Sequence, residues 1–196
     1  LVARLQECGL LSGIVTQNVD GLHQAASASA VIDLHGRLDR VVCLSCRGLS
    51  SRAGLDVRLR LANPGFDADV SAMNPDGDAE IADDELLGFR VVGCLACGGV
   101  LKPDVVFFGE NVPPPTVTAC FELLEASATL LVLGSSLTVM SGYRFVKHAV
   151  RQGIPVVIVN QGLTRGDGDA ELRVEGALRD VLANLVARIG SVAVSP

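Results

Sequence analysis

Hydrophobic residues along this chain form short unbroken runs, which alternate with stretches in which apolar residues recur every three or four positions. The unbroken runs predict strands at Leu11–Val15, Val31–Leu34, Asp104–Phe108, Thr129–Leu133 and Pro155–Val159. The helical spacing predicts helices at residues 2–8, Thr116–Ala126, Gly142–Arg151 and Leu178–Ile189. Runs without polar alternation are typical of parallel strands that are covered on both faces. The pattern therefore predicts an α/β fold with βαβ units around a parallel sheet.

The middle of the chain departs from this pattern. Residues 39–102 hold two pairs of cysteines and scattered glycines and prolines, and they have little periodicity. Eight acidic residues and one basic residue lie between Asn63 and Arg90. We therefore predict a small domain at 39–102, with a solvated acidic insertion at about 63–90, set into a larger domain made of residues 1–38 and 103–196.

Composition excludes several classes of protein. With 49% hydrophobic residues, the 196-residue chain is too apolar to be disordered. Its strongest apolar runs, Ala128–Leu133 and Ile154–Val159, are far shorter than the roughly 18 residues that span a bilayer. A net charge of −6 argues against a nucleic-acid partner. An excess of arginine over lysine suggests a bacterial source and a cytoplasmic location, or a mitochondrial one in a eukaryote.

Polar and glycine-containing turns follow three of the predicted strands. Because ligands of parallel sheets bind beyond the carboxyl ends of the strands, these turns together indicate a nucleotide site. Each turn alone also fits an ordinary Asx turn or a helix N-cap. The turns are Gln17-Asn18-Val19-Asp20, Gly134-Ser135-Ser136 and Asn160-Gln161-Gly162.

Four of the six cysteines form two C-x-x-C pairs, Cys43 with Cys46 and Cys94 with Cys97. Two such pairs supply the four thiolates of one tetrahedral zinc ion. A closed four-sulfur site leaves no open position for water, so this zinc is expected to be structural. Disulfides in an exported protein and a redox pair are the alternatives. Cys8 and Cys120 lie on predicted helices and are expected to be buried.

Taken in order, these motifs resemble the sirtuins, which are NAD-dependent protein-lysine deacylases. The resemblance runs from about Gly9 to the C-terminus. It rests on Thr16–His23, Leu34–Gly36, the paired cysteines, Lys102–Glu110, Gly134–Leu137 and Val159–Asn160. The acidic stretch and Ser141–Phe145 look most like the class II branch. The resemblance implies a Rossmann-like sheet with an inserted zinc domain, and it implies a protein that releases nicotinamide and O-acyl-ADP-ribose.

The resemblance also implies roles for individual residues. His35 is the expected general base, which takes a proton from the nicotinamide ribose after the acyl oxygen has displaced nicotinamide. Asn18 and Asp20 are expected beside the nicotinamide and are placed with His35 in the catalytic set. The further residues expected to bind NAD are Gln17, Val19, Gly134, Ser135, Ser136, Asn160, Gln161, Gly162 and Leu178.

An acylated lysine on a protein is the implied partner. An extended peptide that adds as a strand needs unpaired main-chain groups on both sides. The expected channel residues are Val106, Phe107, Phe108, Gly109 and Glu110 on one wall, and Val139, Ser141 and Gly142 on the other. One of the two phenylalanines is expected to belong to the core instead. His23 is expected to cap or pack, and His148 to lie on a helix surface.

Two departures from the sirtuin pattern affect these expectations. The family has a glycine near the position of Ser27, and its first βαβ unit, with the phosphate loop, has no counterpart after Leu1. The sheet is therefore expected to be incomplete, in the later part of a longer protein, and the 196 residues alone are expected to be inactive. The alternatives are an NAD-dependent protein ADP-ribosyltransferase and a catalytically silent binding module.

Overall fold

The computed structural model describes residues 1–66, 72–73, 79–80 and 86–192. The chain divides into two compact units. The large unit comprises residues 1–36 and 106–196, and the small unit comprises residues 37–105. Much of the acidic insertion predicted at 63–90 lies outside the described residues.

In chain order, the elements are α1 Val2–Glu7, β1 Ile14–Thr16, α2 Leu22–Ala25, β2 Val31–Asp33, β3 Gly36–Cys43, β4 Leu49–Ser51, α3 Arg52–Ala62, β5 Ala72–Met73, β6 Ala79–Glu80, β7 Leu101–Val105, α4 Pro114–Glu125, β8 Leu130–Leu133, α5 Met140–Gln152, β9 Val156–Asn160, a 3₁₀ turn Asp167–Asp169, β10 Leu172–Glu175 and α6 Leu178–Val192.

The large unit is an α/β structure with parallel strands, as predicted. Strands β1 and β2 pair in parallel, with Ile14 opposite Val31. Strands β8, β9 and β10 form a second parallel sheet with β9 at its centre. Strand β9 is apolar over Val156–Val159, and three of these four residues are buried. The parallel pairing brings the turns after neighbouring strands to the same sheet edge.

Helix α5 is attached to the core along one face. Its buried residues Gly142, Phe145, Val146 and Ala149 recur at three- and four-residue spacing. The helix ends at Gly153, whose φ of 69° is a left-handed conformation that glycine adopts without strain. The core around this face joins residues of α4, β8, β9 and the end of β2. The first turn of α5 is thereby fixed to the core.

The small unit contains more regular structure than the sequence indicated. Strands β4, β3 and β7 form one sheet, and β3 pairs with β4 antiparallel. The Ser51 hydroxyl accepts a hydrogen bond from the Gly54 N–H at 3.0 Å and caps α3. The sequence did not indicate β4 and α3 because neither contains a buried residue that would create a hydrophobic pattern.

Several boundaries also differ from prediction. The strand expected at Asp104–Phe108 is β7, which ends at Val105. The first strand begins at Ile14 rather than Leu11, and β10 was not predicted. Among the described residues, none of the helices combines the length and the apolar character needed to cross a bilayer.

Candidate active site and metal centre

His35 lies immediately beyond the end of β2, and its ring is contacted through both nitrogen atoms. Nδ1 lies 3.1 Å from the carbonyl oxygen of Gln17, the first residue after β1. Nε2 lies 2.8 Å from Oγ of Ser141 in the first turn of α5. The main-chain oxygen of His35 accepts a hydrogen bond from the Val106 N–H at 2.9 Å. His35 thus joins three separate segments of the large unit.

The Gln17 side chain extends this arrangement to the turn after β8. Its amide Nε2 donates to Oγ of Ser135 at 3.1 Å. The same hydroxyl accepts a hydrogen bond from the Leu137 N–H. Gly134 has a φ of 60°, and a Cβ there would lie 3.2 Å from the Leu178 side chain. Two residues predicted to bind one nucleotide, Gly134 and Leu178, are therefore neighbours.

The turn after β9 is stabilised by its own asparagine. The Asn160 amide donates to the carbonyl oxygens of Gln161 and Gly162, each at 3.1 Å. Gly162 has a φ of 86°, and no atom would meet a Cβ there within 4 Å. The Arg165 N–H donates to the Ser136 carbonyl at 2.9 Å and connects this turn to the one after β8.

Asn18 and Asp20 are exposed, and their contacts are local. The Asn18 N–H donates to the Thr16 hydroxyl at 3.1 Å, and the Leu22 N–H donates to the Asp20 carboxylate at 3.0 Å. The contact between Leu22 and Asp20 is an Asx turn, which was the alternative interpretation of this turn from the sequence. The contacts that join Gln17, His35, Ser135 and Ser141 do not include the side chains of Asn18 and Asp20.

The segment predicted as a channel wall folds into a turn. The N–H of Phe107 donates to the Glu110 carboxylate and the N–H of Glu110 to the Phe107 carbonyl, each at 3.0 Å, and Gly109 has a φ of 86°. Phe107 is 49% exposed and Phe108 fully exposed, so the expectation that one of them belongs to the core was wrong. On the other predicted wall, Val139 is also 49% exposed.

The sequence assigned no role to three polar residues near the site. The Tyr143 hydroxyl donates to the Asp169 carboxylate at 2.6 Å, and the Arg165 guanidinium lies 4.7 Å above the Tyr143 ring. The hydrogen bond to Asp169 raises the pKa of Tyr143. Arg165 and Asp169 come after the end of β9, and this position is the only sequence feature that could have indicated them.

His148 was expected on the helix surface. Its side chain is only 17% exposed, and Nε2 lies 2.8 Å from the carboxylate of Glu125. The ring also packs against Phe121. That expectation was therefore wrong, because α4 covers this side of α5.

In the small unit, Cys43, Cys46, Cys94 and Cys97 form the predicted four-sulfur cluster. All four Sγ atoms lie within 4.8 Å of one another. The sulfurs of Cys43 and Cys97 are 3.5 Å apart, and those of Cys46 and Cys94 are 3.8 Å apart. Tetrahedral zinc with Zn–S bonds of about 2.3 Å requires sulfurs about 3.8 Å apart. The cluster therefore fits one structural zinc ion.

The two cysteine pairs form equivalent turns. The Cys43 N–H donates to the Gly48 carbonyl, and the Cys94 N–H donates to the Gly99 carbonyl. The residue after each second cysteine is left-handed, with a φ of 61° at Arg47 and 71° at Gly98. The repeated C-x-x-C spacing thus produces the same backbone turn twice, as expected for paired zinc ligands.

Backbone hydrogen bonds already favour thiolates in the cluster. The Cys46 N–H points at the Cys43 sulfur and is the main cause that lowers the pKa of that thiol to about 6. At Cys97 the Gly99 N–H also lowers the pKa, but the sulfurs of Cys43 and Cys46 oppose it and the pKa rises to about 11. A bound cation removes this opposition because it balances the thiolate charges.

The two remaining cysteines differ from each other. Cys120 is buried in the core, and burial raises the pKa of its thiol to about 11. Cys8 is exposed at the end of α1, so the prediction that it is buried was wrong.

Parallel strands with glycine-containing turns, together with a unit that holds four clustered cysteines, define an α/β class of protein with a cysteine cluster of the kind that binds zinc. The Sir2 family model matches residues 1–141. This chain belongs to the Sir2 family.

Relatives of known name agree with this assignment. The chain is 57% identical over 189 residues to NAD-dependent protein deacetylase 1 of Streptomyces coelicolor, and the match covers 96% of this chain and 63% of that protein. It is 50% identical to NAD-dependent protein deacetylase 1 of Mycobacterium avium, over 94% of this chain and 66% of that protein. The chain thus spans less than two thirds of the length of these relatives.

Solved structures of the family have the same fold. A structure of Sir2 with a p53 peptide and NAD+ superposes with a TM-score of 0.74 and 29% identity, over 96% of this chain and 68% of that one. A structure of Sir2Tm with a propionylated peptide also gives 0.74, at 28% identity, over 96% of this chain and 68% of that one.

Proposed function

We propose that the protein is an NAD-dependent protein deacetylase that removes acyl groups from lysine side chains. The names of its relatives support this activity, and so do the peptide-bound structures of the same family. The observation that carries the proposal is the position of His35, which is held at a sheet edge between Gln17 and Ser141.

His35 is the proposed general base. A carbonyl oxygen only accepts hydrogen bonds, so the contact with Gln17 places the ring proton on Nδ1. Nε2 then has the lone pair with which the imidazole accepts a proton. When that proton arrives, the Gln17 carbonyl stays hydrogen-bonded to Nδ1 and stabilises the imidazolium.

NAD fits the turns that surround His35. Gly134 and Gly162 are left-handed glycines, no atom lies within 4 Å of the Cβ position of Gly162, and Ser135 offers a hydroxyl. We propose that these turns, with Gln17, Asn160 and Leu178, bind the adenosine and ribose parts, while Asn18 and Asp20 face the nicotinamide. When bound, NAD supplies the glycosidic bond that is broken as the acyl group is transferred.

Exposed apolar residues offer a place for the substrate. Phe107, Phe108 and Val139 are 49%, 101% and 49% exposed. We propose that the segments 106–110 and 139–142 bind an acyl-lysine side chain between them, because aromatic and aliphatic surfaces exclude water from the lysine stem. The Val106 N–H bond to His35 connects the first segment to the base.

The zinc ion is proposed to stabilise the small unit and to take no part in the reaction. Four sulfur ligands complete its tetrahedral shell, so no position is left for a reacting oxygen. The class II assignment and the cytoplasmic location stay predictions.

The test uses the natural protein that contains this sequence, with NAD and an acetyl-lysine peptide. We expect equal amounts of nicotinamide, free lysine peptide and an acylated ADP-ribose. Transfer of labelled ADP-ribose to protein without loss of the acetyl group would instead support an ADP-ribosyltransferase. Absence of both reactions in zinc-loaded, folded protein would support a silent binding module.

A further inference from the structure

The Ser141 hydroxyl occupies the one ring nitrogen through which His35 acts as a base. Since Nδ1 carries its proton toward Gln17, Nε2 holds the lone pair of the neutral ring. Ser141 Oγ lies 2.8 Å from Nε2, so the serine O–H donates to it. An imidazole nitrogen has a single lone pair. A substrate hydroxyl therefore reaches His35 either through Ser141 or after this serine has moved away.

The backbone at Ser141 is held by the residues that follow it, and its hydroxyl is oriented by the 2.8 Å contact with His35. A Cβ at Gly142 would lie 2.9–3.0 Å from the Gln17 side-chain atoms, so the helix backbone packs closely on Gln17. The Tyr143 hydroxyl is bonded to Asp169 at 2.6 Å, and Phe145 is buried in the core. These contacts oppose a movement of the first turn of α5.

We infer that Ser141 is a further catalytic residue, a proton relay between the substrate hydroxyl and His35. This role rests on the proposed function. The hydroxyl of Ser141 retains two lone pairs while it donates to His35, so it can accept a hydrogen bond from a ribose hydroxyl at the same time. Helix α5 thereby contributes to the chemistry as well as to the substrate wall.

The proton transfer balances in one concerted step. The substrate O–H bond breaks, and its proton forms a new O–H bond on Ser141 Oγ. The original Ser141 proton moves to the Nε2 lone pair, which makes His35 an imidazolium. The electron pair left on the substrate oxygen forms the bond to the acyl carbon, and the π bond between that carbon and the lysine nitrogen breaks, with its electron pair passing to the nitrogen. Ser141 ends the step unchanged, and one proton has moved from substrate to His35.

The test compares Ser141→Ala, Ser141→Thr and the matched control Ser127→Ala in the natural protein. The Ser127 hydroxyl also makes a hydrogen bond, to the Leu123 carbonyl at 2.7 Å, but it lies at the opposite end of β8 from Ser135. We expect kcat for deacetylation to fall about a hundredfold in Ser141→Ala. Ser127→Ala should stay within about threefold of the wild type, and Ser141→Thr should recover most of the activity lost in Ser141→Ala because it keeps a hydroxyl at position 141.

Two further measurements separate the relay from misfolding and from failure of the proposed function. Exchange of labelled nicotinamide into NAD precedes the proton transfer, so Ser141→Ala should retain it. The ¹⁵N signal of His35 Nε2 in the free protein should move toward a non-bonded ring nitrogen in this variant. A fall in kcat of less than tenfold, or an unchanged ¹⁵N signal, would overturn the relay while the wild type still deacetylates. A wild type without deacetylation would instead overturn the proposed function.

Discussion

The side-chain amide of Gln17 lies 3.1 Å from the hydroxyl of Ser135, and this contact joins the residues that follow β1 and β8. The two strands belong to separate parallel sheets of the large unit. Because the main-chain carbonyl of Gln17 also contacts His35, one residue connects the proposed nucleotide turn to the proposed base.

Replacement of Gln17 by methionine is expected to weaken NAD binding. Methionine has a similar length but cannot donate to Ser135, and the loss of one hydrogen bond costs about 0.5–1.5 kcal/mol. The Kd for NAD should therefore rise about two- to thirteenfold, as measured by calorimetry. Gln152→Met, at the exposed end of α5, is the control and should leave the Kd unchanged. Equal affinities in all three proteins would contradict the proposed role of Gln17.

A larger side chain at Gly166 is expected to destabilise the fold. A Cβ there would lie 2.6 Å from Leu137 and 3.2 Å from Ile158, and both neighbours are fixed in the core. Gly166→Ala should lower the free energy of unfolding by about 1–3 kcal/mol. Gly168→Ala is the matched control because no atom lies within 4 Å of its Cβ position. Similar denaturant midpoints for the two variants would show that Leu137 can move aside.

Asp167 is expected to stabilise the fold at neutral pH and to lose this effect in acid. The Thr164 hydroxyl, the Thr164 N–H and Arg173 favour the carboxylate and lower its pKa, the hydroxyl most strongly. A lowered native pKa gives stability that is fully present above the unfolded value of about 3.9, and this stability disappears as the pH falls through the native pKa.

Asp167→Asn should therefore melt below the wild type at pH 7, and the difference should shrink below about pH 4. Glu122→Gln, an exposed change on α4, should match the wild type at both pH values. A melting difference that stays constant from pH 7 to pH 3 would refute this role for Asp167.

Loss of one zinc ligand is expected to unfold the small unit. Structural zinc contributes an apparent binding free energy of about 10–16 kcal/mol, which is similar to the free energy of unfolding of a whole domain. Cys94→Ala should purify without stoichiometric zinc and should lose the cooperative unfolding of residues 37–105. Cys8→Ala changes an exposed thiol outside the cluster and should keep one zinc per chain. Full zinc content in Cys94→Ala, measured by elemental analysis, would disprove the four-cysteine assignment.

The sequence predicted best the elements whose burial creates a pattern. Strand β9 is almost wholly apolar, and the buried residues of α5 recur with helical period, so both were found within two residues of their ends. Strand β4 and helix α3 contain no buried residue. They are held by the cap at Ser51 and by the pairing of β4 with β3, neither of which produces a hydrophobic period.

The site was predictable in part for a similar reason. His35 and Gln17 follow predicted strands, so the sequence indicated that they lie at one sheet edge. The contact between His35 and Ser141 joins residues 106 positions apart, and no spacing rule predicts it. For Phe108 the residue type was misleading. A large apolar side chain is usually expected in the core, but Phe108 is fully exposed here.

The most direct test of the proposed activity compares the natural protein with its His35→Ala variant, with NAD and an acetyl-lysine peptide. We expect the wild type to release nicotinamide and free lysine in equal amounts. The variant should lose at least about a hundredfold in kcat while its melting temperature stays within about 4 °C of the wild type. Deacetylation by His35→Ala at a rate close to that of the wild type would contradict the assignment of His35 as the base.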